Sequence, residues 1–172
     1  MSADAREQIT KILIAFGKGD ESLGRQNWSE AVLQYSEATN VLSALPESEP
    51  FDRSTFVASC LAGAAVANIG LEDHALALQC ADTALLFFDK VSNMYPTERG
   101  RWLLSVLAKG IALSVLGRTA EAEQCRIRSK QMLMESGTGL RFQAEIDELI
   151  KTLEGLLHRD SIESKRWWQL WK

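Results

Sequence analysis

The side chains that most readily bind metal or attack a substrate are few in this 172-residue sequence: two histidines, His74 and His158, and three cysteines, Cys60, Cys80 and Cys125. A zinc site needs three or four Cys, His or carboxylate ligands at short spacing. Neither histidine has such neighbours. His74 follows Asp73 at an expected helix start, and His158 precedes Arg159 near a helix end, where a protonated imidazole balances the helix dipole. No two cysteines lie close in sequence, and an odd number without a signal peptide reads as free, buried thiols. Glu145, Asp147, Glu148 and Glu154 share a polar helical face with Arg141 and Lys151, which reads as a solvated surface rather than an acid–base pair. No phosphate-cradling glycine loop and no nucleophile elbow is present. The expectation is therefore a chain without metal, without cofactor and without enzymatic activity.

The remaining chemistry is that of surfaces. Arg118, Arg126, Arg128 and Lys130 form the densest basic run, but Glu121, Glu123 and Glu135 flank it. With a net charge of −4 and a pI near 5.3, no nucleic-acid partner is expected. Three of the five tryptophans, Trp167, Trp168 and Trp171, fall in the last six positions beside Leu170. Burying one large apolar side chain is worth roughly 1.5–3 kcal/mol, so three indoles left in water would forfeit several. The tail is expected to dock, either back on its own domain or into a neighbouring subunit to give a homodimer. Lys165, Arg166 and Lys172 give it the look of an interfacial anchor, but it is short for that, and membrane contact is not expected. No run approaches the ~18 apolar residues of a membrane span, and Ile12–Phe16 is too short for a signal core. A cytoplasmic location is expected.

The elements that position these residues announce themselves through glycine. Gly17/Gly24, Gly63/Gly70 and Gly110/Gly117 are pairs seven residues apart, and the pairs recur after 46 and 47 residues. Ala31/Ala38 and Ala77/Ala84 follow seven residues after the second glycine and Ala122/Ser129 five after it, and Gly155 continues the lattice. Seven residues is close to two helical turns, so each pair marks one helical face. Glycine inside a helix costs about 1 kcal/mol against alanine, a cost that close backbone approach would justify. The second glycine of each pair stands where a helix should end, as a C-cap. Asn27 with Glu30 resembles a capping box, Asp52 a helix N-cap with a Phe51/Phe56 staple, and Tyr95-Pro96-Thr97 another helix start. Seven helices follow, at roughly 3–23, 28–45, 53–69, 73–93, 98–116, 119–136 and 140–159. No segment shows the alternation of a strand.

This pattern resembles the tetratricopeptide repeat (TPR). Gly17, Gly24, Trp28, Ala31, Tyr35 and Ala38 fit the family pattern in the first unit. The second keeps Gly63, Gly70, Ala77 and Ala84, with Ala81 at the aromatic place, and the third keeps Gly110, Gly117 and Ala122, with Arg126 and Ser129 at the last two. The segment from Phe51 to about Ala122 also looks like a small bacterial TPR-like family without an assigned function. The repeat here is 45–47 residues against about 34 in the family.

The resemblance implies an all-α fold: a right-handed stack of antiparallel helical hairpins forming one domain over 1–160, with a Trp-rich tail over 161–172. It implies a concave groove lined by the first helix of each hairpin. Val57, Cys60, Ala64 and Ala67 of the second unit and Leu104, Leu107 and Ile111 of the third would line its apolar middle, with Lys11, Ile14, Lys18 and Glu21 as a charged margin. The function this implies is a non-catalytic adaptor, scaffold or co-chaperone holding a peptide or amphipathic helix. The alternative is a self-associating structural protein that uses Trp167, Trp168, Leu170 and Trp171 as its joint.

Overall fold

The computed structural model describes residues 3–91, 94–136 and 140–170, with the backbone alone at 136 and beyond 159. Seven helices follow one another: α1 (Ala3–Gly24), α2 (Trp28–Ala44), α3 (Arg53–Gly70), α4 (His74–Phe88), α5 (Pro96–Val115), α6 (Thr119–Ser136) and α7 (Gln143–Leu170). Among the described residues there is no strand. Helices α1/α2, α3/α4 and α5/α6 pair as hairpins. Each hairpin packs on the next through α2 against α3 and α4 against α5, and α7 closes the stack on α5 and α6.

The three hairpins turn in the same way, which is the physical content of the repeat. In the first, Gln26 N–H donates to Leu23 C=O and Asn27 N–H to Ser22 C=O. In the second, Glu72 donates to Ile69 and Asp73 to Asn68; in the third, Gly117 donates to Ser114 and Arg118 to Leu113. This nested pair of bonds is the Schellman ending, and it needs a residue in the left-handed region. That residue is Gln26 (φ 58°), Glu72 (φ 61°) and Gly117 (φ 76°) in turn. Only Gly117 is therefore the C-cap glycine expected of all three. Gly24 and Gly70 are instead the last helical residues before the turn.

Close approach explains some of the lattice glycines and not others. A Cβ on Gly63 would lie 2.3 Å from Tyr35 Cζ, one on Gly70 2.4 Å from the Trp28 ring, and one on Gly110 2.9 Å from Leu153. At Gly17 and Gly155 there is nothing within 4 Å, so the expectation of close contact does not hold there. The approach on α1 is made instead by Gly19, which faces the other side of the Tyr35 ring at 2.7 Å. The small residues of the second helices, Ala31, Ala38, Ala77, Ala84, Ala122 and Ser129, are all buried as expected.

Three further boundaries depart from the sequence reading. Asn27 precedes α2 but its side chain makes no capping bond, and Glu30 accepts from Gln34 Nε2 instead. Helix α4 stops at Phe88, not 93, where Asp89 turns aside to accept from Trp102 Nε1 at 2.8 Å. The last helix starts at Gln143 and runs through Leu170 rather than ending at 159. Asp52 does cap α3, accepting from Thr55 N, and the Phe51 and Phe56 rings meet edge-on at 5.4 Å. Tyr95 N–H donates to Glu98 Oε2, closing the start of α5 behind Pro96.

Candidate functional site

Helix α5 is the most buried element, and this overturns part of the expected groove. Leu104, Leu107 and Ile111 are at most 2% exposed. Packed among α3, α4, α6 and α7, α5 turns no open apolar face at these positions. Cys60 and Ala67 on α3 are buried too, whereas Val57 and Ala64 are half-exposed. The structure thus places Leu104, Leu107, Ile111 and Ala67 in the common core rather than on a binding face. Lys11 and Ile14 lie on the exposed side of α1.

The side of the stack where the first hairpin meets the α6–α7 connection is filled by a charged cluster that the sequence reading missed. Arg101 on α5 is 3% exposed and donates to Asp20 Oδ1 on α1, and through Nη1 to Tyr35 Oη at 3.2 Å. Tyr35 O–H donates to the same Asp20 oxygen at 2.7 Å, and Arg141 Nη2 reaches Asp20 Oδ2 at 2.8 Å. The Arg101 guanidinium lies 4.3 Å from the Phe142 ring centre and 4.8 Å from that of Phe16. Burial opposes its charge, but Tyr35 and Asp20 outweigh burial and raise its pKa. Burial likewise pushes the Tyr35 phenol well above its ordinary range. Every polar atom named here has its partner inside the cluster. The cluster is a clamp between the two ends of the stack, with neither a nucleophile nor a vacant carboxylate to act on a substrate. The one signal available was Arg101 itself, an arginine three and seven residues before Leu104 and Ala108 on a buried helical stripe.

The open apolar surface lies elsewhere, along α3 where α2 and α4 flank it. Arg53, Val57, Leu61, Ala64 and Asn68 recur every three or four residues and form the floor of a trough. Its wider end, about 460 Å³, is walled by Leu86 and Phe87 of α4 with Lys90 at the rim. Its narrower end, about 160 Å³, is walled by Val32, Ser36 and Thr39 of α2 and by Leu76 and Cys80 of α4. Leu61 lines both ends and joins them. Leu86 is 67% exposed, a large apolar side chain held in water. Three of the expected groove residues, Val57, Cys60 and Ala64, do come together here. The walls, however, are second helices of hairpins, not the first helices of neighbouring units.

The thiols carry no reactive chemistry. Cys60, Cys80 and Cys125 are all free and buried, as expected. Burial pushes the Cys60 thiol up to about 12 and raises those of Cys80 and Cys125, so none is a thiolate near neutral pH. Among the described residues no group of His, Cys, Asp and Glu could hold a metal, and no helix is long and apolar enough to cross a membrane. Trp167, Trp168 and Leu170 fall on the backbone of α7. Their side chains, and all of Trp171, lie outside the described residues.

A stack of antiparallel helical hairpins closed by a terminal helix defines a TPR-like protein. The fold is shared with the crystal structure of a TPR-like protein from Chlorobium tepidum, at a TM-score of 0.84 and 24% identity over 91% of this chain and 98% of that one. It is shared also with the Rap conjugation gene regulator of plasmid pLS20, solved with the Phr* peptide, at a TM-score of 0.66 and 20% identity. That match covers 94% of this chain and 40% of the regulator. No curated protein matches the sequence. The chain belongs to the family described as Domain of Unknown Function (DUF3856), which matches residues 5–143.

Proposed function

We propose that this chain is a non-catalytic protein-interaction module that holds a peptide or amphipathic helix in the α2–α3–α4 trough. One observation carries the reading: two adjoining hollows along α3 that meet at Leu61, with a floor repeating at helical spacing and Leu86 67% exposed on the wall of the wider one. Contiguous exposed apolar surface lining a hollow marks an interaction site more often than scattered exposed side chains do. The fold supports the same reading, since the pLS20 regulator was solved with a peptide bound. The groove expected on α5 is not part of it. A library of displayed helical peptides, selected on the intact protein and on Leu86→Asp, tests the proposal. Apolar helical sequences should enrich on the first and not on the second. Equal enrichment on both, or none on either, removes the trough as a binding site.

Self-association through the C-terminal segment is the second reading. Its support is a helix that runs on through Leu170, carrying Trp167 and Trp168 beyond the last core contacts described, Leu156 and Leu157. Removal of residues 165–172 should then halve the mass read by light scattering, and an unchanged mass removes the tail as a joint.

A further inference from the structure

The trough has a charge polarity that selects its partner, and this inference rests on the trough being the binding site. The charged side chains lining it are two, Arg53 and Lys90, and both stand at the wide end. Arg53 is held by backbone carbonyls: Nη1 donates to Leu42 C=O at 2.8 Å, and Nη2 to Leu45 and Pro46 C=O at 2.6 Å. Carbonyls fix a guanidinium in place but do not neutralise it. Lys90 is exposed. Among the described residues, neither cation makes an ion pair with a carboxylate. Three of the nearby carboxylates are committed elsewhere. Asp52 caps α3 through Thr55 N and Oγ1, Asp89 holds Trp102 and Arg128, and Asp82 pairs with Lys109 at 2.6 Å. The far end is polar but neutral, with Ser36, Thr39 and Asn68.

We propose that the trough takes an amphipathic helix whose apolar stripe ends in carboxylates laid over Arg53 and Lys90. The helical form follows from the floor. Arg53, Val57, Leu61, Ala64 and Asn68 advance by four, four, three and four residues, the seam along which one helix packs on another. The sixteen residues from Arg53 to Asn68 span about 22 Å, or roughly four turns of a docked helix. The acidic end follows from the two cations left without a counterion. The chain's own C-terminal segment is a poorer match in sign, because Lys165, Arg166 and Lys172 flank its tryptophans.

The probe is a labelled amphipathic peptide of about sixteen residues built from Leu, Ala and Gln, made with two glutamates, two glutamines or two lysines at one end. Fluorescence anisotropy measures binding to the intact protein, to Lys90→Glu and to Leu86→Asp, each confirmed folded by circular dichroism. The Glu-ended peptide should bind about tenfold tighter than the Lys-ended one, with the Gln-ended one between. Lys90→Glu should erase or reverse that order, and 300 mM salt should compress it. If all three peptides bind alike and Leu86→Asp abolishes binding, the trough is a site but the acidic partner is refuted. If no peptide binds, or Leu86→Asp changes nothing, the trough itself fails and this proposal with it.

Discussion

Replacing Asp20 with alanine should unfold this protein more readily than most single substitutions can. Asp20 is the only carboxylate in the cluster, its side chain is 8% exposed, and it accepts from Arg101, Tyr35 and Arg141 at once. Its loss leaves the Arg101 guanidinium, 3% exposed, buried between Phe16 and Phe142 with no counterion. Breaking a buried ion pair from one side costs about 3–5 kcal/mol, mainly through the stranded charge. At roughly 2–4 °C per kcal/mol for a chain of this size, Tm should fall by roughly 6–20 °C. Urea titration followed at 222 nm by circular dichroism gives the free energy directly. The double variant Asp20→Ala/Arg101→Met separates charge from packing, because methionine keeps apolar volume between the rings and removes the stranded cation. It should recover about half or more of the loss. Arg141→Ala should cost under about 1 kcal/mol, because that side chain is 53% exposed and its pairing is screened. The reasoning is refuted if Asp20→Ala stays within about 1 kcal/mol of the parent, or if the double variant is no more stable than the single one.

Other consequences can be checked on the same titrations. Gly63→Ala should destabilise by about 1–3 kcal/mol, because the added methyl meets a Tyr35 ring that Asp20 and Arg101 hold in place; Gly17→Ala, with nothing within 4 Å, should stabilise by up to about 1 kcal/mol. A result with those two signs reversed would contradict the packing described. Stability should fall as pH rises above about 9, as melts between pH 7.5 and 10.5 will show. The unfolded Cys60 thiol ionises near 8.5 while the folded one holds its proton up to about 12, so over that window folding binds a proton and alkali favours the unfolded chain. Tyr35, whose pKa burial also raises, adds to the slope from about pH 10. A flat Tm to pH 10.5 would mean these groups are not buried. Leu107→Glu should abolish cooperative unfolding and not merely weaken partner binding, because a carboxylate placed at a fully buried position has no partner there.

What the sequence disclosed was local. The hairpin period was readable because each turn and each run of small residues on a second helix is written within about twenty residues of chain. What it concealed was carried by distant pairs. Arg101 meets Tyr35 across 66 positions and Asp20 across 81, and Arg141 meets Asp20 across 121, distances no helical periodicity registers. That clamp and α7 together cover the faces that family geometry would leave open, which is why Leu104, Leu107 and Ile111 belong to the core. The glycine lattice was right about period and partly wrong about cause. At Gly63, Gly70 and Gly110 a neighbour occupies the space a Cβ would need, while at Gly17 and Gly155 the space is empty. The length of α7 was legible and misjudged: between Leu156 and Lys172 no proline or glycine interrupts the chain, so nothing in the sequence ends the helix at 159.

The shared carboxylate of Asp20 sets a limit on how this protein can change over evolutionary time. Open solenoids lengthen by copying a unit, because each unit touches only its neighbours. Here the opening helix is tied to the third hairpin and to the link before α7. A copy inserted between those three attachment points would pull them apart and strand the arginine. Variation is left to the surfaces the clamp does not touch, the α2–α3–α4 trough among them.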